Sequence, residues 1–535
     1  MLLVVTACGT ARVDGVRIRP ESDSYGIVRN AATGKGIAGV PVTDGYSFTV
    51  TDSRGVYQMK RNPDALKIYY TLPEEYEVTL SGTGNPVFFS EGILKAGEKV
   101  RTDFTLTPSA TVRKDYTVVA MGDPQCRDLK EAGRFEKETL KDFKETLTGM
   151  PEPVVIVLGD LGYDNYEMWE PMKKLIGGVT VDGRKVPFFP TIGNHDHDST
   201  VEAEAGERGA RMRYTREFGP VDYSFDRPGA HFVVMDNIDV KDGFNKSGNK
   251  NGRKWKYKEL LTPQQLEWLR EDLSLVRDKE NKTLFICMHS ALRAMSNPDD
   301  LLALMTGFRN AHLLTAHTHV GQTVVYGKYR CTSGNPVYEH ITATACGSWW
   351  FTNCDVTGMP FGYKVFEMKG GAVDNWYSKG VGRAKGYRMR LYDGDQIYSG
   401  ALGDKYSWAD SKVTEKKKTM DADSGMGGCL IAEIFDGDSD NWNVELFIDG
   451  KKAGDLKKAP DGKAFNMCYL GYVYNSRQIK QKHKSPMANH FWYIRTDIRP
   501  SELSNFEVLA TQTVPDSGRK NVYRCSRLTT DYSEF

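Results

Sequence analysis

The 535-residue chain predicts an α/β protein whose layered β-sandwich core lies between an N-terminal and a C-terminal all-β domain. Three observations carry that reading. Between about residues 111 and 370, short apolar runs alternate with helical patterns, as in layered α/β domains. On either side, β-branched segments are broken by tight turns and read as strand. Within the central stretch, five short polar motifs each close an apolar run, and ligands in such domains gather beyond the carboxyl ends of strands.

Taken in order, residues 1–20 read as a signal remnant and linker. Met1 to Ala7 is small and apolar, and Val5-Thr6-Ala7-Cys8 fits a bacterial lipobox with Cys8 as the acylated residue. A basic start and a longer apolar core are missing from this signal. The expectation is an exported lipoprotein, periplasmic or anchored at the outer membrane, touching membrane only through Cys8.

Residues 21–110 form the first β domain. Thr33-Gly34-Lys35-Gly36 turns between β-branched segments, Ser47 to Val50 alternates, Asp52 to Gly55 turns, and Val56 to Met59 returns. The pattern resembles the transthyretin-like or carboxypeptidase-regulatory-like β-sandwich and offers no catalytic constellation. It reads as a spacer or docking module.

In the central domain, 111–370, strands are expected at Tyr116 to Met121, Val154 to Leu158, Phe188 to Ile192, Phe232 to Met235, Thr283 to Cys287 and Leu313 to Thr315. Helices are expected over Leu129 to Leu147 and Pro263 to Val276, the second opened by Thr262 as N-cap and proline at the first helical position. Residues 371–535 turn β-rich again, with strands at Cys429 to Phe435, Val444 to Ile448 and Phe491 to Arg495 and a hairpin turn at Asp449-Gly450. Asp436 to Asp440 imitates a calcium loop, but Phe447 stands where the closing Glu belongs, so it reads as a polar turn.

Composition narrows function. Seventy-one basic and 70 acidic residues leave a net charge of +1, which argues against broad binding to nucleic acid or anionic membrane. No run of about 18 apolar residues marks a transmembrane helix. Nine scattered cysteines include no CxxC pair, which excludes a zinc ribbon.

The five motifs are Gly122-Asp123-Pro124-Gln125, Gly159-Asp160, Gly193-Asn194-His195-Asp196, Met288-His289 and Ala316-His317-Thr318-His319. Together they supply enough oxygen and imidazole ligands to hold two cations side by side, the usual device for attacking a phosphate ester. Asp123 and Gln125, and likewise His317 and His319, stand two apart, so in extended chain each pair faces one way. Asp160 has two oxygens and is the natural bridge between cations about 3.5–4 Å apart.

In order and number these motifs resemble the calcineurin-like metallophosphoesterase family, whose pattern is Asp-x-His, Gly-Asp, Gly-Asn-His-Asp/Glu, His and Gly-His-x-His. The chain departs at Gln125, where His is usual, and at Ala316, where Gly is usual. It looks like a bacterial three-domain form and an Asp-x-Gln variant. The resemblance implies two metal ions (Mn, Fe, Zn or Mg), with Asp123, Gln125, Asp160 and His319 at the first and Asp160, Asn194, His289 and His317 at the second. It also implies a metal-bridged hydroxide as nucleophile and His195 as general acid, oriented by Asp164 or Asp196. Tyr163, three residues after Asp160, rivals Gln125 as ligand, as in purple acid phosphatases.

The expected activity is phosphoester hydrolysis, most simply of a small phosphomonoester, with a phosphodiesterase or nucleotidase as the enzymatic alternative and a non-catalytic envelope-binding protein as the other. His197 is expected to line the pocket, and Trp349 and Trp350 to form either an aromatic wall or core. The basic stretch Lys241 to Lys258 is expected to be a solvated loop, with an anion-attracting lid as the rival reading. His231, His312, His340, His483 and His490 read as structural.

Overall fold

A computed structural model describes residues 11–241, 243–245, 252–355, 357–394, 427–460 and 489–530. Cys8, Cys468 and His483 lie outside the described residues, as does part of the basic stretch 241–258. The central domain is two facing sheets. One runs Phe188–Thr191, Pro153–Leu158, Tyr116–Met121, Gly362–Lys369, Ala372–Gly380 in spatial order, the first three parallel and the last two antiparallel. The other runs Tyr223–Arg227, Ala230–Val234, Thr283–Cys287, Asn310–Thr315, Pro336–Ile341, Gln322–Arg330, with its four inner strands parallel.

The parallel strands are buried on both faces, which explains why they read as continuous apolar runs rather than alternating ones. Between the sheets, Phe189 stacks on Phe225 at 4.0 Å, Phe225 on Phe232 at 4.8 Å and Phe232 on Phe285 at 4.7 Å. Offset ring contacts of this kind add to the area they bury. The outer face of the first sheet is covered by the helical segment from Leu129 to Leu147, which stays helical throughout but passes through a π-helical turn at Phe135–Leu140. The helix Pro263–Leu275 begins with Thr262 and Gln265 in a reciprocal capping box, satisfying donors that a helix start leaves open.

The N-terminal strands form small sheets whose core is continuous with that of the central domain. Tyr69 Oη donates to the Asp222 carbonyl at 2.5 Å, and Trp268 Nε1 donates to Thr43 Oγ1 at 3.0 Å. C-terminal to the core stand two four-stranded sheets. Cys429–Ile434 and Phe491–Arg495 pair directly, and Asp449 and Gly450, both with positive φ, turn the hairpin between Trp442–Ile448 and Lys451–Asp455. Asp436 receives Lys364 Nζ at 2.5 Å and Asp438 caps its own turn through the amides of Asp440 and Asn441. Both serve as structural polar groups. No helix is long and apolar enough to cross a membrane among the described residues. No two of the seven described cysteines are bonded to each other.

Candidate metal centre

All five motifs leave the carboxyl ends of parallel strands, three from the first sheet and two from the second. The site therefore straddles the sandwich at one edge. The backbone packs tightly there: a Cβ on Gly193 would lie 2.2 Å from Asp160 Oδ1, and one on Gly159 would lie 2.7 Å from His289 Nδ1. Only glycine lets the Gly-Asp and Gly-Asn turns approach this closely.

The residues expected at the second cation converge. Asp160, His289 and His317 each offer one ligand atom, all within 4.8 Å of one another. His289 Nδ1 lies 2.7 Å from the Leu158 carbonyl, which can only accept, so Nδ1 carries a proton. His289 Nε2 then faces Asn194 Oδ1 and His317 Nδ1, each at 3.1 Å, and Asp160 Oδ2 at 3.4 Å. Four lone-pair atoms aimed at one another repel unless a proton or a cation lies among them. Burial lowers His289, but the Asp160 and Asp123 carboxylates outweigh it and raise the imidazole to about 10. Burial takes His317 and His319 down to about 3, so both rings are neutral and able to ligate.

The residues expected at the first cation lie alongside. Asp123 Oδ1 is 3.7 Å from His319 Nε2, while Asp123 Oδ2 accepts from the His317 amide at 3.0 Å. Gln125 Nε2 donates to Asp160 Oδ2 at 2.8 Å, which turns Gln125 Oε1 away. Asp123 Oδ1 and Gln125 Oε1 are both buried and face no donor. Burial raises Asp123 to about 7; Asp160 is held well below the usual carboxylate range because, against its burial, His289 and His195 stabilise the anion. Asp123, Gln125, Asp160, His317 and His319 all have positive φ, so the paired ligands do not share a face through extended chain as expected. Side-chain to backbone bonds hold these turns instead, including His195 N to Asp160 Oδ1 at 2.9 Å.

His195 Nδ1 lies 2.7 Å from Asp164 Oδ1, and Nε2 faces Asp160 Oδ2 at 4.0 Å. Of the two carboxylates weighed for orienting His195, Asp164 makes the contact. Asp196 Oδ2 instead accepts from the amides of Asp160 and Gly193, at 2.7 and 2.9 Å. His197 does not line the pocket: it is buried behind the motif, with Nδ1 bonded to Gly193 O at 2.9 Å and Nε2 at 3.0 Å from Asp236. A His197, Glu207 and Asp236 group could in composition hold a metal, but the Arg211 guanidinium is paired with both acids, at 2.8 Å to Glu207 and 2.7 Å to Asp236. That group is an ion-pair network.

Tyr163 packs its ring on His195, centroids 4.3 Å apart. Trp349 stacks on His319 at 4.4 Å and forms a wall, whereas Trp350 is core, donating Nε1 to the Pro124 carbonyl at 3.0 Å. Sequence reasoning missed Tyr257, whose ring stands edge-on to His317 at 6.3 Å. It lies inside the basic stretch whose solvated appearance concealed it, and no motif marks it.

The orphaned oxygens, the proton-linked His289 contacts and the mixed oxygen and imidazole set fit a metal centre. Comparison with known proteins bears on the same question. Residues 116–321 match the model for calcineurin-like phosphoesterase, residues 25–109 the model for the N terminal of calcineurin-like phosphoesterase, and residues 339–514 the model for its C terminal. No curated protein matches the chain. Among solved structures, a protein serine/threonine phosphatase from Saccharomyces cerevisiae with similarity to human phosphatase PP5 aligns at 12% identity over 51% of this chain and 82% of its own, with a TM-score of 0.23. Three consecutive domain matches, together with a metal-ligand set at the strand ends, make this chain a member of the calcineurin-like phosphoesterase family, a metal-dependent phosphoric ester hydrolase of three-domain form.

Proposed function

We propose that the protein is a phosphomonoesterase acting on a small phosphorylated substrate, with two metal ions and His195 as general acid. The observation that carries the reading is the Asp164–His195 contact of 2.7 Å beside the ligand cluster. Asp123, Gln125, Asp160 and His319 would hold one ion and Asp160, Asn194, His289 and His317 the other. Bound there, the ions supply charge neutralisation at the phosphoryl group and activation of water near neutral pH. A carboxylate only accepts, so Asp164 keeps the His195 Nδ1 proton, and Nε2 is the nitrogen that gives a proton to the leaving oxygen. Tyr163 limits rotation of that ring by stacking, and Trp349 and Tyr257 exclude water at the flanks. A lipid anchor at Cys8 extends the proposal to the cell envelope, motivated by Val5-Thr6-Ala7-Cys8 and tested by fatty-acid labelling with and without Cys8→Ala.

The test is a paired panel of aryl phosphate monoesters, diesters and nucleotides with added Mn, Fe, Zn or Mg. The expected result is a kcat/KM at least about 100-fold higher on monoesters, the order of discrimination that pocket contacts supply. Preference for diesters would replace the reading with a phosphodiesterase, and inertness toward every ester with both metal sites filled would leave a binding protein.

A further inference from the structure

The opposite ends of the same strands carry a second charged cleft. Residues of the linker after the N-terminal domain, the segment leading into Pro153–Leu158 and the hairpin at 180–185 enclose about 830 Å³. The flanking strand is six residues long, which places this cleft roughly 20 Å from the metal ligands.

Three guanidiniums share one carboxylate there. Arg113 Nε lies 3.5 Å and Arg184 Nη1 3.9 Å from Glu152 Oε1, and Arg227 Nη2 lies 3.5 Å from Glu152 Oε2. None reaches the 2.7–2.9 Å of a charge-assisted hydrogen bond. Arg227 lies deepest, with its side chain only 13% exposed, its guanidinium over the Tyr116 ring at 5.7 Å, and its Nε buried without an acceptor. Such a group cannot discard its proton, so every unmatched N–H is a cost. Lys185 adds a fourth positive charge to the lining. Of the other acids lining the cleft, Asp182 is engaged by the Gly149 amide at 2.8 Å and Glu77 is exposed.

We propose that this cleft is a second anion site, which takes a small phosphate-bearing ligand bridging Arg113, Arg184 and Arg227. Glu152 has two oxygens and meets none of the three closely. A phosphate or diphosphate group presents three or more oxygens in a spread that separate guanidinium forks can grip. The linker lines the cleft, so an occupant would tie the N-terminal domain to the central one.

The probe is methylenediphosphonate, a non-hydrolysable diphosphate, titrated calorimetrically into the metal-loaded full chain. Two sites are expected. The Arg113→Ala/Arg184→Ala double variant, at positions 54% and 74% exposed and so compatible with folding, should lose one site and keep monoester turnover. Asp123→Asn should lose the other. Glu152→Gln removes the competing carboxylate and should tighten the arginine site about tenfold. A single site that Asp123→Asn abolishes and the arginine changes leave intact would overturn the proposal. So would an unchanged or weaker second site in Glu152→Gln, since a structural ion-pair cluster gains nothing from losing its anion.

Discussion

Asp164 Oδ1 stands 2.7 Å from His195 Nδ1, with both side chains buried at the mouth of the ligand cluster. On the proposed function, that pair makes His195 a directed proton donor beside the candidate metal ligands. His195→Ala should lower turnover on alkyl phosphates by about 10²–10⁴ while leaving bound metal unchanged. The loss should shrink for substrates with acidic leaving groups, which need no proton. Asp164→Asn should give a smaller loss of the same kind, about 10–100-fold, because the ring persists but its tautomer is no longer fixed. Metal loss in His195→Ala, measured by elemental analysis, would make His195 a ligand.

Gln125 offers a buried oxygen without a donor, whereas Tyr163 spends its ring on His195. Gln125→His should tighten binding of Zn or Fe at one site, since imidazole is the stronger ligand for such metals. Tyr163→Phe should keep the stacking, the metal content and most of the activity. A visible tyrosine-to-iron absorption band that disappears in Tyr163→Phe would transfer the ligand role to the tyrosine.

Tyr257 meets His317 from a segment that carries no motif. Tyr257→Ala should raise KM and admit water, cutting kcat/KM by about tenfold with metal content intact. Tyr257→Phe should recover most of that loss if the ring is what matters. Equal loss in both variants would point to the hydroxyl.

His231 provides a pH test away from the metal ligands. Its Nδ1 lies 2.7 Å from Asp226 and its Nε2 2.8 Å from Asp272, and these acids overcome burial to raise it to about 9. The folded value exceeds the unfolded one of about 6.5. The stabilisation is therefore full below pH 6.5 and lost as pH rises through about 9, an effect of ~3 kcal/mol. The thermal midpoint should fall between pH 7 and 10, and Asp272→Asn should flatten that fall. A wild-type midpoint that is flat across this range would contradict the assignment.

The α/β core was readable because its strands are buried on both faces and so appear as unbroken apolar runs, five of them closed by a motif that carries a candidate ligand, behind a glycine in three cases. The strand Phe491–Arg495 and the turn at Asp449-Gly450 were readable for similar local reasons. What the sequence concealed was set by tertiary contact. The left-handed turns at Asp123, Gln125, His317 and His319 are held by bonds to groups far along the chain, such as His317 N to Asp123 Oδ2, so local spacing suggested extended chain instead. His197 looked like pocket lining because it follows His195, yet Asp236, 39 residues on, draws it inward. The choice of Asp164 over Asp196 depended on which carboxylate the backbone amides of Asp160 and Gly193 had already taken.

On the proposed function, the five motifs hold two cations side by side. Anomalous scattering from crystals grown with Mn or Zn, recorded on both sides of the metal edge, tests it most directly. Two peaks roughly 3.5–4 Å apart are expected, one among Asp123, Gln125, Asp160 and His319 and one among Asp160, Asn194, His289 and His317. A single peak, or a metal lodged at His197, Glu207 and Asp236 instead, would contradict it.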